Sequence, residues 1–183
     1  PSKVNKRLMA QGFFAAKHIP LQMNGGFCTI REQTIMARRG RHPYNKSTKT
    51  MTEYEKQQAG MVYNAPDADL VKELYACHDR CWEYNQIRPT HHAERNKMIR
   101  QILGKADEDT FINQPFHCDF GKHIRVGKRF FANFNFTVLD EGKVTIGQSV
   151  FIGPNVSLLT PIHPLCWQDR NAFFNEKTGV VTN

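Results

Sequence analysis

Seven positions, Phe120, Val126, Ala132, Val138, Ile146, Ile152 and Leu158, are apolar and stand six residues apart, save for one eight-residue step. Glycine follows four of them, at Gly121, Gly127, Gly147 and Gly153. A helix repeats about every 3.6 residues and a strand every second residue, so neither yields a period of six. A chain that turns a corner every six residues does, because each flat side then repeats the same inward apolar position. Such a coil buries its apolar edge only by stacking one turn on the next. The spacing slips by two across Asp140-Glu141-Gly142-Lys143 and resumes at Ile146, with Val150 and Val156 four places after Ile146 and Ile152. The competing reading is a pair of ordinary strands divided by Gly-Gln-Ser and Gly-Pro-Asn turns, but a hairpin meander rarely holds one register for so long.

The residues before the coil carry a helical pattern. Thr52-x-x-Glu55 predicts a capping box for a short helix that Gly60 ends. Asp67 predicts the cap of a second helix, with Leu70, Leu74, Cys77/His78, Cys81 and Tyr84 as its apolar stripe. After a break over Asn85–Pro89, a third helix is expected from Thr90 to Gly104, presenting Met98, Ile99, Ile102 and Leu103. The fold class that follows is mainly β: a parallel β-helix preceded by a short α-helical cap that shields the first turn of the stack. The expected division is a basic extension over 1–50, the cap over 51–115 and the start of the β-helix over 116–183.

Charge sharpens that division. Residues 1–50 hold 10 Lys+Arg and one acid, Glu32, whereas residues 51–183 hold 15 Lys+Arg and 16 Asp+Glu, so the net charge of +8 resides in the first fifty. The coil-bearing part gives no reason to expect nucleic acid as a partner. Residues 1–50, with Gly25-Gly26 and the basic run Ala37–Arg41, are expected to be disordered or foreign to the domain, with Met51 as its natural start; polyanion binding and an Arg-rich leader are the other readings. No segment approaches the roughly 18 unbroken apolar residues of a membrane span. Five scattered cysteines suggest no disulfide framework and fit a reducing, cytoplasmic setting. Cys77 and Cys81 lie one helical turn apart, but a metal site needs two further ligands, and none is expected. His91-His92 reads as a solvated helix start.

The second half resembles the hexapeptide-repeat acyltransferases of the left-handed β-helix type, and among them the maltose and galactoside O-acetyltransferases. Cys118–Gly121, Ile124–Gly127, Phe130–Asn135, Val138–Asp140, Val144–Gly147, Ile152–Val156 and Thr160–Pro164 carry the likeness, and Ala59–Tyr63, Asp67, Leu70 and Tyr84-Asn85 are similar to that family's cap. The likeness spans about Met51 to Arg170. It implies transfer of an acetyl group from acetyl-CoA to a sugar hydroxyl, with no metal and no covalent intermediate. It also implies a homotrimer with each site in a cleft between neighbouring coils.

A sugar hydroxyl is a poor nucleophile and needs a base to take its proton, a task suited to a neutral imidazole. His163 stands where the resemblance puts the catalytic histidine; the plainer reading is a surface turn residue before Pro164. Asn133 matches the family's active-site asparagine, whose amide can face the oxyanion or the acetyl-CoA, although an asparagine at a coil corner also suits a left-handed backbone. Asp119 aligns with an acceptor-site position. Asp140 and Glu141 fall in the two-residue insertion, as acceptor ligands or as a solvated turn. Tyr63 and Asp67 lie in the cap near positions that contact the acceptor in relatives.

The likeness fades after Arg170, where relatives continue with further hexapeptides that carry most CoA contacts. The chain is thus expected to be C-terminally truncated and impaired, with an open edge on its stack. A non-catalytic remnant or binding module is the alternative to a sugar O-acetyltransferase.

Overall fold

The computed structural model describes residues 51–163 in full and, outside them, the backbone of five short strands. Three lie in the basic segment: β1 (Phe13–Ala16), β2 (Ile19–Asn24) and β3 (Phe27–Ile30). The rest of residues 1–50 falls outside the described residues, and with it the expectation that this segment is disordered or foreign.

The cap forms as its sequence signals predict. Thr52 Oγ1 accepts from Glu55 N at 3.1 Å, and Glu55 Oε2 accepts from Thr52 N at 2.8 Å, which opens α1 (Glu53–Gln58). Gly60 follows with φ +69°, the left-handed conformation that lets a chain leave a helix. Strand β4 (Tyr63–Asn64) leads to Asp67, whose Oδ1 accepts from Asp69 N and Leu70 N to start α2 (Ala68–Gln86). Leu70, Cys77, Cys81 and Tyr84 make its buried stripe. The third helix, α3 (His92–Ile102), starts two residues later than expected. Gly104 then crosses so near the next coil that a Cβ there would meet Lys122 O at 2.0 Å. Close approach, not a helix stop alone, demands glycine at that point.

The remainder is a three-sided coil of parallel strands. One side holds β5 (Phe111–Ile112), β8 (Phe131–Ala132) and β11 (Phe151–Ile152); the second holds β6 (Phe116–Cys118), β9 (Phe136–Leu139) and β12 (Ser157–Leu159); the third holds β7 (Ile124–Val126) and β10 (Val144–Ile146). Phe111 pairs with Phe131, Phe116 with Phe136 and Ile124 with Val144, so each turn is 20 residues long. The inward positions run Cys118, Val126, Ala132, Val138, Ile146, Ile152 and Leu158, in steps of eight, six and six. Phe120 is therefore not in the series. It sits in an insertion equivalent to Asp140-Glu141, buried beside Tyr63 and Leu70. The first turn carries the same two-residue insertion as the second, at the same corner.

Phe116, Phe130, Phe136, Ile112, Ile124, Val138, Val144 and Ile146 fill the interior, with Phe116 stacked on Phe136 at 5.8 Å between ring centroids. The other two corners rest on non-glycine residues in the left-handed region, Arg129 and Ser149 at one and Asn135 and Asn155 at the next. Asn135 Nδ2 donates to Asn155 Oδ1 at 2.9 Å, one asparagine bracing the next. Side chains close the first turn. Tyr84 Oη and Arg95 both donate to Ile112 O, and Asn85 takes both backbone groups of Phe116 in an amide fork.

At the other end, Thr160 N donates to Leu139 O at 3.1 Å, and strand β13 (Pro161–Ile162) leaves the coil to pair antiparallel with β1, which pairs in turn with β4. Strand β2 runs parallel beside β10, with Ile19 opposite Val144, and is backed by β3. Strands β14 (Phe173–Asn175) and β15 (Val180–Thr182) pair antiparallel. Most of residues 164–183 lies outside the described residues, and so does the expectation of an incomplete stack. No helix among the described residues is long and apolar enough to cross a membrane.

Candidate active site

The corner between the second and third sides carries the insertions of both turns, and the cap lies on it. This brings Asp119, Asp140, Glu141, His123 and Tyr63 together. The acids are not the solvated turn that the sequence left open. Asp140 is wholly buried, and its Oδ1 accepts from Asp119 N at 3.0 Å and Phe120 N at 2.8 Å. Burial pushes its pKa up to about 6. The Asp140 Oδ1 braces the loop above it, while Oδ2 is buried with no hydrogen-bond partner among the described residues.

Glu141 is buried too, and hydrogen-bonds the Asp119 side chain. Burial, then the Asp119 charge and that hydrogen bond, push its pKa up to about 9, so at neutral pH the Glu141 side chain holds its proton. On its other side Asp119 Oδ1 meets His78 Nε2 at 3.0 Å, a hydrogen bond that raises the His78 pKa. The Tyr63 hydroxyl is hydrogen-bonded to the buried Gln57 side chain, near enough to Glu141 and Asp119 to feel their charge, and burial pushes its pKa up. The corner thus gathers the polar groups His78, Asp119, Glu141 and Tyr63, with Glu141 and Tyr63 buried.

His123 was not singled out in the sequence. Its Nδ1 donates to Asp140 O at 2.5 Å and its Nε2 accepts from Tyr54 Oη at 3.2 Å. Burial lowers its pKa, in keeping with the neutral ring this geometry requires. It ties α1 to the corner. His78 and His123 carried no local signal, because what makes them part of the site is the docking of the cap. Asp67 stands apart: its side chain caps α2.

Asn133 and His163 occupy different places. Asn133 follows β8 at the corner that leads into β9. Its Oδ1 accepts from Phe134 N at 2.8 Å, and its backbone has no left-handed φ, a role that falls to Asn135 two residues on. His163 follows β13, beyond the corner where β12 ends over Leu139. At about 3.3 Å per residue, the run from Asn133 to Leu139 places these corners on the order of 15–20 Å apart. Asn133 and His163 thus follow different strands, β8 and β13, at different corners of the coil. For a metal, three buried sulfurs, Cys77, Cys81 and Cys118, form a group, the third supplied by a strand distant in sequence.

A three-sided parallel coil under a helical cap, with a polar corner between them, defines a hexapeptide-repeat protein. The family description "Maltose acetyltransferase hexapeptide capping motif" matches residues 56–107. Nodulation protein L of Rhizobium meliloti (strain 1021) is 37% identical over 123 residues, covering 67% of this chain and 67% of its own. The crystal structure of a maltose O-acetyltransferase from Clostridium difficile 630 superposes with a TM-score of 0.65 at 34% identity, over 74% of this chain and 69% of that one. A hexapeptide-repeat acetyltransferase from Vibrio cholerae, solved with acetyl coenzyme A, superposes with a TM-score of 0.56 at 32% identity, over 66% and 65%.

The chain belongs to the hexapeptide-repeat acetyltransferases of the maltose and galactoside O-acetyltransferase type, and its coil is a left-handed β-helix. It spans 55%, 67% and 52% of the length of three curated relatives that it matches.

Proposed function

We propose that this protein transfers the acetyl group of acetyl-CoA to a hydroxyl of a sugar of the maltose, glucose or galactoside type. The observation that carries this reading is the polar corner of Asp119, Glu141 and Tyr63 beside the strand that leads to His163. Neighbouring donors and acceptors at one shielded corner suit adjacent sugar hydroxyls, which themselves donate and accept. The Asp119 and Glu141 carboxyl oxygens are the ligands of the acceptor hydroxyls. Asp140 and Asp67 serve this site by holding its loop and helix.

His163 is the general base. Its imidazole takes the hydroxyl proton as the sugar oxygen attacks the thioester carbonyl carbon; the oxyanion collapses, the C–S bond breaks, and the imidazolium returns the proton to the CoA sulfur. The Asn133 amide faces the oxyanion or the acetyl-CoA. No metal and no covalent enzyme intermediate enters this sequence. Since Asn133 and His163 stand at separate corners of one chain, the site forms where the His163 end of one copy meets the Asn133 corner of the next, in a homotrimer. The buried free thiols agree with a cytoplasmic setting.

The test is acetyl-CoA-dependent release of free CoA with glucose, maltose and a β-galactoside. Turnover with one of them, lost in a folded His163→Ala variant, supports the reading. No turnover with any acceptor at high protein concentration would leave the chain as a binding module built on the same coil.

A further inference from the structure

Cys77 and Cys81 face the coil from one side of α2, and Cys118 ends β6 directly opposite. The Cys118 Sγ lies 3.6 Å from each of the other two, and all three sulfurs fall within 4.8 Å of one another. The nearest point equidistant from three such sulfurs is at most about 2.4 Å from each, against about 2.3 Å for a zinc–thiolate bond. The sulfurs are free thiols, and the three residues are 0%, 2% and 2% exposed. The acetyl-transfer chemistry uses none of them.

We propose that Cys77, Cys81 and Cys118 are a binding site for a trivalent thiophilic metalloid, with arsenite as its simplest form. Charge selects the valence. Among the described residues no further His, Cys, Asp or Glu completes this sulfur group. The nearest charged groups, the His78–Asp119 pair and Asp140, supply no net positive charge. Three thiolates around a divalent ion would leave a negative charge in the core, at the cost that burying an unpaired charge carries. Arsenite avoids this. Neutral As(OH)3 condenses with three neutral thiols: three As–S bonds form, three As–O bonds break, and the three thiol protons leave in three water molecules. No electron is transferred, and nothing charged is buried. Occupancy ties α2 to β6 through three bonds and locks the cap onto the first turn.

The experiment uses the full chain with Cys28→Ser and Cys166→Ser, so that this cluster holds the only thiols. With sodium arsenite, native mass spectrometry should show one arsenic per chain, with a mass gain of one arsenic less three hydrogens. The melting temperature should rise, because a ligand of the folded state stabilises it. Adding Cys118→Ser should weaken binding roughly tenfold to a hundredfold or more, the scale on which disturbed ligand sets lose affinity. Should serine at 118 unfold the chain, Cys77→Ala provides the same readout with an apolar substitute. Absence of an adduct on the folded chain, a fall in melting temperature, or an adduct that survives loss of either cysteine overturns the proposal. So does zinc bound in preference to arsenite, since that would place a divalent ion where neutrality forbids it.

Discussion

The Glu141 side chain is hydrogen-bonded to that of Asp119, although 22 positions apart they belong to successive turns of the coil. Neither acid can be understood alone, because Glu141 holds its proton by burial and by the charge of Asp119.

Folding stability should fall as pH rises through the neutral range. In the unfolded chain Glu141 releases its proton near its ordinary value of 4.5; in the folded chain it keeps it to about 9. The folded state binds the extra proton in that window, so rising pH favours unfolding. Asp140, held up to about 6, adds the same slope only below that value. Thermal unfolding at pH 6.5 and pH 9 should show the loss. Glu141→Gln should flatten it and raise the melting temperature at pH 8 by about 3 °C or more. An unchanged pH slope in that variant would show that Glu141 ionises normally.

Substitution of the same residue should separate binding from chemistry. The amide that Glu141→Gln introduces keeps a donor and an acceptor in place of the acid, so KM for the sugar should hold within about tenfold, whereas Glu141→Ala should raise KM while kcat changes by less than about tenfold. Steady-state kinetics with acetyl-CoA held saturating would show the split, and a fall in kcat alone would count against an acceptor-binding role.

Two dead variants should rescue each other. If the site combines His163 of one copy with Asn133 of the next, His163→Ala and Asn133→Ala each lack activity in all sites. In randomly mixed trimers about a quarter of the sites recover both side chains. Co-refolding at equal ratio should restore roughly that share of wild-type turnover. Mixtures as inactive as their parents would place both residues in a site within one chain.

Gly104→Ala should lower stability severely. The added Cβ would stand 2.0 Å from the Lys122 carbonyl oxygen, a backbone atom that cannot yield without moving the first turn. A loss above about 3 kcal/mol is expected in urea unfolding, in the range of strained or overpacked sites.

Phe136→Ala should cost about 3–5 kcal/mol. Its ring is fully buried against Phe116 and Phe130, in the middle of the stack. Urea unfolding would measure it, and a cost below about 1 kcal/mol would mean that the interior collapses around the gap.

The coil was legible because its physics is periodic. Val126, Ala132, Val138, Ile146 and Ile152 must all point inward, and only a six-residue side permits that. The cap was legible from Thr52, Glu55 and Asp67, whose side chains satisfy backbone groups a few residues away. The first insertion was hidden because Phe120-Gly121 imitates an apolar-glycine repeat; its ring turns to the cap instead. The burial of Asp140 and Glu141 was hidden for a related reason. Both read as turn acids, and only the docking of α1 and Tyr63 on that corner removes their water. Cys118 joins Cys77 and Cys81 across at least 37 positions, a distance no local pattern bridges. The left-handed corner that the sequence allowed as the other reading of Asn133 falls to Asn135 instead.

Closure of the first turn has a polarity. Asn85 answers both backbone groups of Phe116, while Tyr84 and Arg95 occupy the Ile112 carbonyl. A foreign β-segment arriving at that face finds those hydrogen bonds already made. Fibre growth by end-to-end addition is therefore blocked in one direction, and two such molecules cannot join cap to cap through their main chains.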